Sequence, residues 1–374
     1  MILRLRQDPW RLMLAVNVAA LIGVFLHKIS LPPYVPHIHL LVDYHFGFTK
    51  RALIGAAVAS FSQAVPVWLV FALGLVTWLI TALHFVELFR RTFGFDEAWM
   101  PLFVFMTGSP FFLKNFMHTL GHFDIYGCSV AIGLLLLPAG SIFFVALAAI
   151  GSMVLILIHH IHLLTYVPTI GVIVLLRHYL ARGFDGKNLT FGIAATICIG
   201  VLFFIVQFMG TMPVSEAEFV RYLESRMADP SQVSLLSFSY IWYQPLSKEI
   251  SDTWQRMPSN LLGLPAFGLL IWLHSPLWRY FAEMIRSLAE DFHRRVVIAA
   301  IAVVTAAYLM LFAVVFDYSR WVCNWAVCLF LIMHAVKLLP ASQQPRPPPG
   351  KDRKTTLLGW IITLIPRVGI VRPF

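Results

Sequence analysis

The chain has 374 residues, of which 59% are apolar and 12% charged, and its formal net charge is +10. A soluble domain carries roughly 45–50% apolar residues, so this composition excludes an ordinary soluble fold, and apolar runs near the roughly 20 residues needed to cross a bilayer recur along it. The positive balance then marks loops that face anionic lipid and set orientation, and nucleic acid is not expected as a partner.

The N-terminal "MILRLRQDPWR" is basic and precedes an apolar run at 11–27. No convincing small-residue cleavage site closes it, so it reads as a retained first span, not a signal peptide. A short polar loop follows, "HIHLLVDYHFGFTKR" at 37–51, which gathers His37, His39, Asp43, His45, Lys50 and Arg51 between apolar stretches. Further apolar runs lie near 65–89, 99–117, 125–138, 141–158, 162–176, 188–209, 262–280, 296–316 and 321–338.

The stretch 125–158 decides the topology. As one helix it would be about 51 Å long, against a hydrocarbon layer of about 30 Å. The "LPAGS" in its middle favours two short helices joined by a turn. With that turn, and with both chain ends in the cytoplasm, 19 of the 28 Lys and Arg lie on the inner side. A single span would instead put "RHYLARGFDGK" and "RSLAEDFHRR" outside, against the positive-inside rule. The expectation is therefore an all-α polytopic bundle of about ten transmembrane helices plus interfacial helices, N-terminus cytoplasmic. Residues 1–340 form one transmembrane domain with an extracytoplasmic loop at 210–261. Residues 341–374 form a Pro-rich, basic cytoplasmic tail, whose "TLLGWIITLIP" (356–366) is too short to cross and lies in the interface or re-enters. Cys128, Cys198, Cys323 and Cys328 have neither zinc spacing nor a disulfide framework and read as small apolar-core residues.

On this topology the outer face collects unusual groups. Outside the long loop only Asp43, Asp124 and Asp317 of the 18 carboxylates are extracytoplasmic, each in a different short loop. They are joined by eight histidines, His37, His39, His45, His118, His122, His159, His160 and His162. Helix capping explains any one of them, and Lys50 and Arg51 can snorkel to headgroups. Their convergence points to a shared polar cavity, because such groups are costly at membrane depth unless paired or hydrated. Asp124, Asp317, His45, His122, His159, His160 and His162 are its expected lining.

Several chemistries compete for such a cavity. His159 and His162, at i and i+3, share a helical face, so a divalent metal stays open, with no cofactor otherwise required. The repeated histidine boxes of membrane di-iron enzymes are missing, and no G-x-S-x-G elbow marks a hydrolase. Group transfer from a lipid-linked donor needs a base for the acceptor hydroxyl and cations for the leaving phosphate. Asp43 offers the base, and Lys50, Arg51 and Arg320 the phosphate clamp. In the long loop, "SEAEFVRYLESRM" opens with a Ser215–Glu218 capping box and reads as an amphipathic surface helix. "SYIWYQP" offers Trp242 and Tyr243, with Tyr44 from the first loop, as faces for sugar rings or as an interfacial aromatic belt.

The position of Asp43 in "VDYHFGFTKRALIG", just after the first span, resembles the GT-C superfamily of polytopic glycosyltransferases. "RALIGAAVASFSQ" is similar to the surface helix that those enzymes carry before their second span, and "GHFDIYGCSVAIGLLLL" to their acidic loop between spans three and four. The resemblance covers mainly residues 1–180. It implies a catalytic Asp43, a polyprenyl-phosphate-linked sugar as donor, a glycan or lipid acceptor, and membrane lipids as the surroundings, most simply in a bacterial inner (plasma) membrane. Tyr44 stands where the family pairs a second acid. A neighbouring expectation is a surface-polysaccharide polymerase resembling the O-antigen polymerases, with Arg221, Arg226 and Arg256 as its arginines. A transporter or flippase of a lipid-linked or small polar substrate is the third. Its marks are broken helices at mid-membrane and polar groups within spans, such as His84, Gln207, His274, Asn324 and His334.

Overall fold

A computed structural model describes residues 8–339 and 352–368, and among them every regular element is helical. Helix α1 (Pro9–Ile29) starts where Asp8 caps the Trp10 N–H at 3.0 Å and Pro9 fills a position that needs no donor. Two short helices follow, α2 (Tyr34–Leu41) and α3 (Leu53–Ala59), before the long α4 (Val67–Thr92). A Cβ on Gly55 of α3 would collide with the Val42 carbonyl, so this glycine lets α3 fold back against the end of α2 and fixes the polar loop between them.

The run expected as one helix over 99–117 is two, α5 (Met100–Thr107) and α6 (Leu113–His118). Pro110 has no N–H to continue the ladder, and the Ser109 hydroxyl accepts from the Phe111 N–H at 3.1 Å instead. The run 125–158 divides into α7 (Asp124–Leu136) and α8 (Ile142–Ile158) around Pro138. A 3₁₀ turn at His160–Leu163 leads into α9 (Tyr166–Val174), prolonged by a π-helical turn at Leu175–Leu180, and then α10 (Gly186–Met209).

The long loop holds α11 (Glu216–Ser225), a 3₁₀ stretch at Pro230–Trp242 and α12 (Leu246–Leu261). Ser215 caps α11 through the Glu218 N–H at 3.3 Å. The run 262–280 is again broken, into α13 (Leu264–Leu273) and α14 (Ser275–Arg286), with Pro276 just after the break. α15 (Asp291–Val314) and α16 (Tyr318–Lys337) complete the bundle, and α17 (Arg353–Leu364) follows.

Five of these helices, α1, α4, α10, α15 and α16, are long and apolar enough to cross a membrane. Shorter apolar helices at Asp124–Leu136, Ile142–Ile158, Tyr166–Leu180 and Leu264–Leu273 accompany them. Their positions in the bundle differ sharply. The apolar window of α16 is 83% buried and that of α10 only 6%, so α16 is the central post and α10 an outer stave. Tyr166 on α9 donates to Asn324 on α16 at 2.8 Å, and Thr92 at the end of α4 bonds His334 at 2.7 Å.

The two helix breaks meet. His274 bonds Ser109 through Nε2 at 2.9 Å, and its ring lies 4.9 Å from that of Phe111. The tail joins them there. Lys114 is fully buried, and its ammonium donates to the carbonyls of Gly108 (3.0 Å), Ile362 (3.3 Å), Thr363 (2.6 Å) and Ile365 (3.0 Å). A cation on the free carbonyls of a helix C-terminus is favourable, and here it ties α17 into the bundle. This packing sets 356–366 against the bundle. Residues 341–351 of the tail and the basic residues of the first seven lie outside the described residues.

Candidate functional site

One end of the bundle draws together four loops. His39 on α2 stacks on Phe123 (centroids 4.2 Å apart) and meets His159 at 6.4 Å and Trp242 at 5.6 Å. His159 in turn lies 5.2 Å from His160 and 6.3 Å from His162. The loop before α7 turns at Gly121, whose φ of +86° and close neighbours Val70 and Pro36 suit only glycine. That turn presents His122 and Asp124. Asp124 is buried and holds the Arg320 guanidinium through two hydrogen bonds, one of them 2.9 Å long. Asp317 adds a contact to Arg320 at 3.7 Å, and the guanidinium lies over the Trp321 ring at 4.6 Å.

Arg51 contributes the second cation. It is the one non-glycine among the described residues with positive φ, at 64°. Such a conformation costs energy and tends to be kept where function holds it. Its guanidinium lies 5.9 Å from the Trp242 ring centroid, and its Nε is enclosed without a hydrogen-bond partner. Lys50 beside it is pinned along its backbone. Its N–H donates to the Gly210 carbonyl at 3.0 Å, and its carbonyl accepts from the Trp242 indole at 3.1 Å. The Lys50 ammonium reaches only the Gln244 carbonyl, at 3.5 Å. The acid that acts electrostatically on both Lys50 and Arg51 is Glu249 of α12.

Burial, followed by the field of Arg51 and Arg320, holds the His39 ring neutral, and burial with Arg51 does the same to His159 and His160. Burial lowers His162 to about 4, against the opposing pull of Asp124. His122 is depressed by burial and then by Arg320, Lys28, His39 and His118. The imidazoles therefore act as neutral donors and acceptors, and the charge of the cluster resides in its Lys and Arg. Among the described residues several nitrogens in this cluster have no hydrogen-bond partner: both of His39, Nδ1 of His160 and Nε of Arg51. Buried polar groups are nearly always bonded, so a concentration of orphans in one place is a binding-site signature.

The other sequence-derived residues are placed differently. Both Asp43 oxygens accept from the Tyr222 hydroxyl (2.8 and 2.7 Å), and Arg226 adds a bond at 2.9 Å while also donating to the Leu41 carbonyl. His45 stacks on Tyr222 at 4.3 Å. Asp43 and His45 thus sit in a corner built with α11, while the loop that carries them sends Lys50 and Arg51 to the histidines. Trp242 is 1% exposed, with His39, Phe219 and Arg51 around its ring, so it forms a wall of the cluster and offers no free face to a sugar. Tyr243 donates to the Ser215 carbonyl at 3.1 Å, and Tyr44 stacks with Phe48 at 6.2 Å. Of the arginines weighed for a polymerase, Arg226 is engaged by Asp43 and Arg256 lies over Phe316 at 4.3 Å. Among the described residues no group of three His, Cys, Asp or Glu is arranged to hold a metal ion.

An apolar groove of about 910 Å³ lies between α8, α9, α10 and α15. It runs from Leu163, one residue beyond His162, to Tyr179 and Phe184 near the opposite end. The fifteen residues of α9 and its π turn span about 22 Å. Small residues, Gly171, Gly192, Ala195, Thr196 and Gly200, keep the groove open. Glu249 and Lys28 were not singled out by sequence pattern, since no motif spacing links them to the loops they meet. No family model, curated protein or solved structure matches this chain.

Proposed function

We propose that the protein is a membrane glycosyltransferase that takes a sugar from a polyprenyl-phosphate donor and passes it to a glycan or lipid acceptor. In this reading about ten crossings put the N-terminus in the cytoplasm and the histidine end outside, in a bacterial inner membrane. The observation that carries the proposal is a long apolar groove whose lining includes Leu163, the chain neighbour of His162 in a cluster rich in cations and unpartnered polar nitrogens. A prenyl chain fits the first and its phosphate the second.

The chemistry divides accordingly. Lys50 and Arg51 hold the phosphate, and Asp124 keeps the Arg320 guanidinium aimed at the same place. The acceptor hydroxyl attacks the anomeric carbon, the bond from that carbon to the phosphate oxygen breaks, and the hydroxyl proton passes to a carboxylate. Asp43 already accepts from Tyr222 and Arg226 through both oxygens. Glu249, the acid whose charge acts on both Lys50 and Arg51, then serves as the base, and Asp43 as the anchor of the loop that presents them. The test is transfer of radiolabelled sugar from polyprenyl-phosphate hexoses by the purified protein in nanodiscs. Glu249→Gln is expected to lower turnover at least 100-fold without loss of folded protein, and Asp43→Asn to lower the folded yield. Wild-type turnover in Glu249→Gln would sink the base assignment, and no transfer from any polyprenyl-phosphate hexose would sink the reading.

A transport reading draws on the broken helices α5/α6 and α13/α14, which meet midway along the bundle as transporter helices do. It ranks second because the groups freed there bond one another: Lys114 to four carbonyls, His274 to Ser109 and to the Leu270 carbonyl at 2.7 Å. Flux of an unaltered lipid-linked sugar across sealed vesicles would reverse the ranking.

A further inference from the structure

The path of the tail has a consequence for the site. Gly359 on α17 lies against Trp10 and Met13, near the start of α1. Beyond α17 the chain turns extended at Ile365, and Arg367 donates to His118 Nε2 at 3.1 Å. His118 is in electrostatic reach of Lys28 and His27, at the far end of α1. Val368 is buried in the same cluster as Phe111, Phe267, Tyr318 and Val322. Between Gly359 and Arg367 the tail thus travels from the first turns of α1 to its last. From Met13 to Lys28 that is about 22 Å of helix. Part of α17, a few extended residues at about 3.3 Å each and the reach of two long side chains cover it.

Two further features show that this path is built in. Lys114 grips the C-terminal carbonyls of α17 at the level of the α5/α6 break and so fixes the tail there. At the end of the path, His118 is held neutral, near a pKa of about 4, by burial and by Arg367, Lys28 and His27, so its Nε2 is free to accept from the guanidinium. His122, in reach of both His118 and Arg320, links this corner to the main cluster.

We infer that residues 353–368 are a further membrane-crossing element, clamped halfway by Lys114, which delivers Arg367 to the rim of the histidine end, where its guanidinium joins in binding the donor phosphate. The phosphate role rests on the transferase reading; the crossing does not. Arg367 is exposed, as a rim residue must be, and it adds a planar two-pronged donor to Lys28, Lys50, Arg51 and Arg320.

Two measurements test this in the full-length protein. In a Cys198→Ser background, single cysteines at Pro366, Phe61 and Glu97 are labelled in sealed vesicles with a membrane-impermeant maleimide. Pro366→Cys is expected to label from the same side as Phe61→Cys, in the loop before α4. Labelling with Glu97→Cys, at the other end of the bundle, overturns the crossing whatever the lipid does. Farnesyl phosphate and neutral farnesol are then compared as ligands. Arg367→Ala is expected to weaken farnesyl phosphate about tenfold and leave farnesol unchanged, and Arg367→Lys to lose less. No change for farnesyl phosphate, or an equal loss for both ligands, overturns the binding role. If the wild-type protein does not distinguish the two ligands, the donor reading itself fails and the phosphate role with it, while the labelling result still decides the crossing.

Discussion

Lys114 and Arg51 are both cations drawn into an apolar bundle, and they are treated in opposite ways. Lys114 has four carbonyl acceptors around its ammonium, supplied by a helix break and a helix end. Arg51 has a left-handed backbone, an enclosed Nε without a partner, and neutral histidines beside it whose nitrogens are also unbonded. A cation that the fold fully satisfies is part of the architecture, whereas one held in strain among unsatisfied groups is kept for something that is not the protein. Asp124 and Arg320 combine the two: their mutual pairing is the frame of the cluster and holds the guanidinium beside the unsatisfied groups.

The comparison can be broken at its strongest point first. Arg320→Met leaves the buried Asp124 charge unpaired and is expected to cost about 3–5 kcal/mol, and Asp124→Asn less, because Asp317 stays 3.7 Å from Arg320. The double variant should recover part of that, as thermal unfolding in detergent will read. Lys114→Met orphans several helix-end carbonyls and should cost about 3 kcal/mol, at 1–3 kcal/mol per buried group left unbonded. Its sharper readout is new protease sensitivity near 353–368.

His39→Phe sharpens the contrast from the other side. It keeps the stack on Phe123 and removes two unbonded nitrogens, so stability should hold or rise by up to about 1 kcal/mol while farnesyl phosphate binding drops. A clear loss of stability would make the histidine cluster architectural after all.

The smallest effect is a pH dependence. Burial, then the neighbouring Arg51, lowers Lys50 to about 8, with Glu249 opposing. Lys50 is therefore charged below that value and neutral above it, and phosphate binding should weaken a few-fold as pH rises from 7 to 9. Lys50→Arg, which stays charged, should flatten that slope; an unchanged slope in Lys50→Arg would remove Lys50 from the site.

Much of this site was legible one loop at a time. The concentration of His, Asp, Lys and Arg at 37–51, at 118–124 and at 159–162 stood out because the surrounding sequence is so apolar. What could not be read was which member of each loop faces inward. Asp43 and Arg51 are eight residues apart in a loop without a fixed period, and one went to Tyr222 and Arg226 while the other went to the histidines. Glu249 lies on an amphipathic helix that by pattern only floats on a surface, and Arg367 on a stretch too short to cross unaided.

The sequence by itself determined the all-helical, membrane-embedded character of the protein, because transfer free energy acts residue by residue and needs no partner. It also marked Pro138 as a place where a helix ladder must fail, whereas the breaks at Pro110 and Pro276 fall inside runs that read as single helices. Only the tertiary structure decided that the breaks at 108–112 and 274 meet, that Lys114 captures α17 there, and that an apolar groove opens between α8, α9, α10 and α15. Those depend on which groups are left unbonded when the helices are brought together, a property of neighbours far apart in the chain and not of any segment alone.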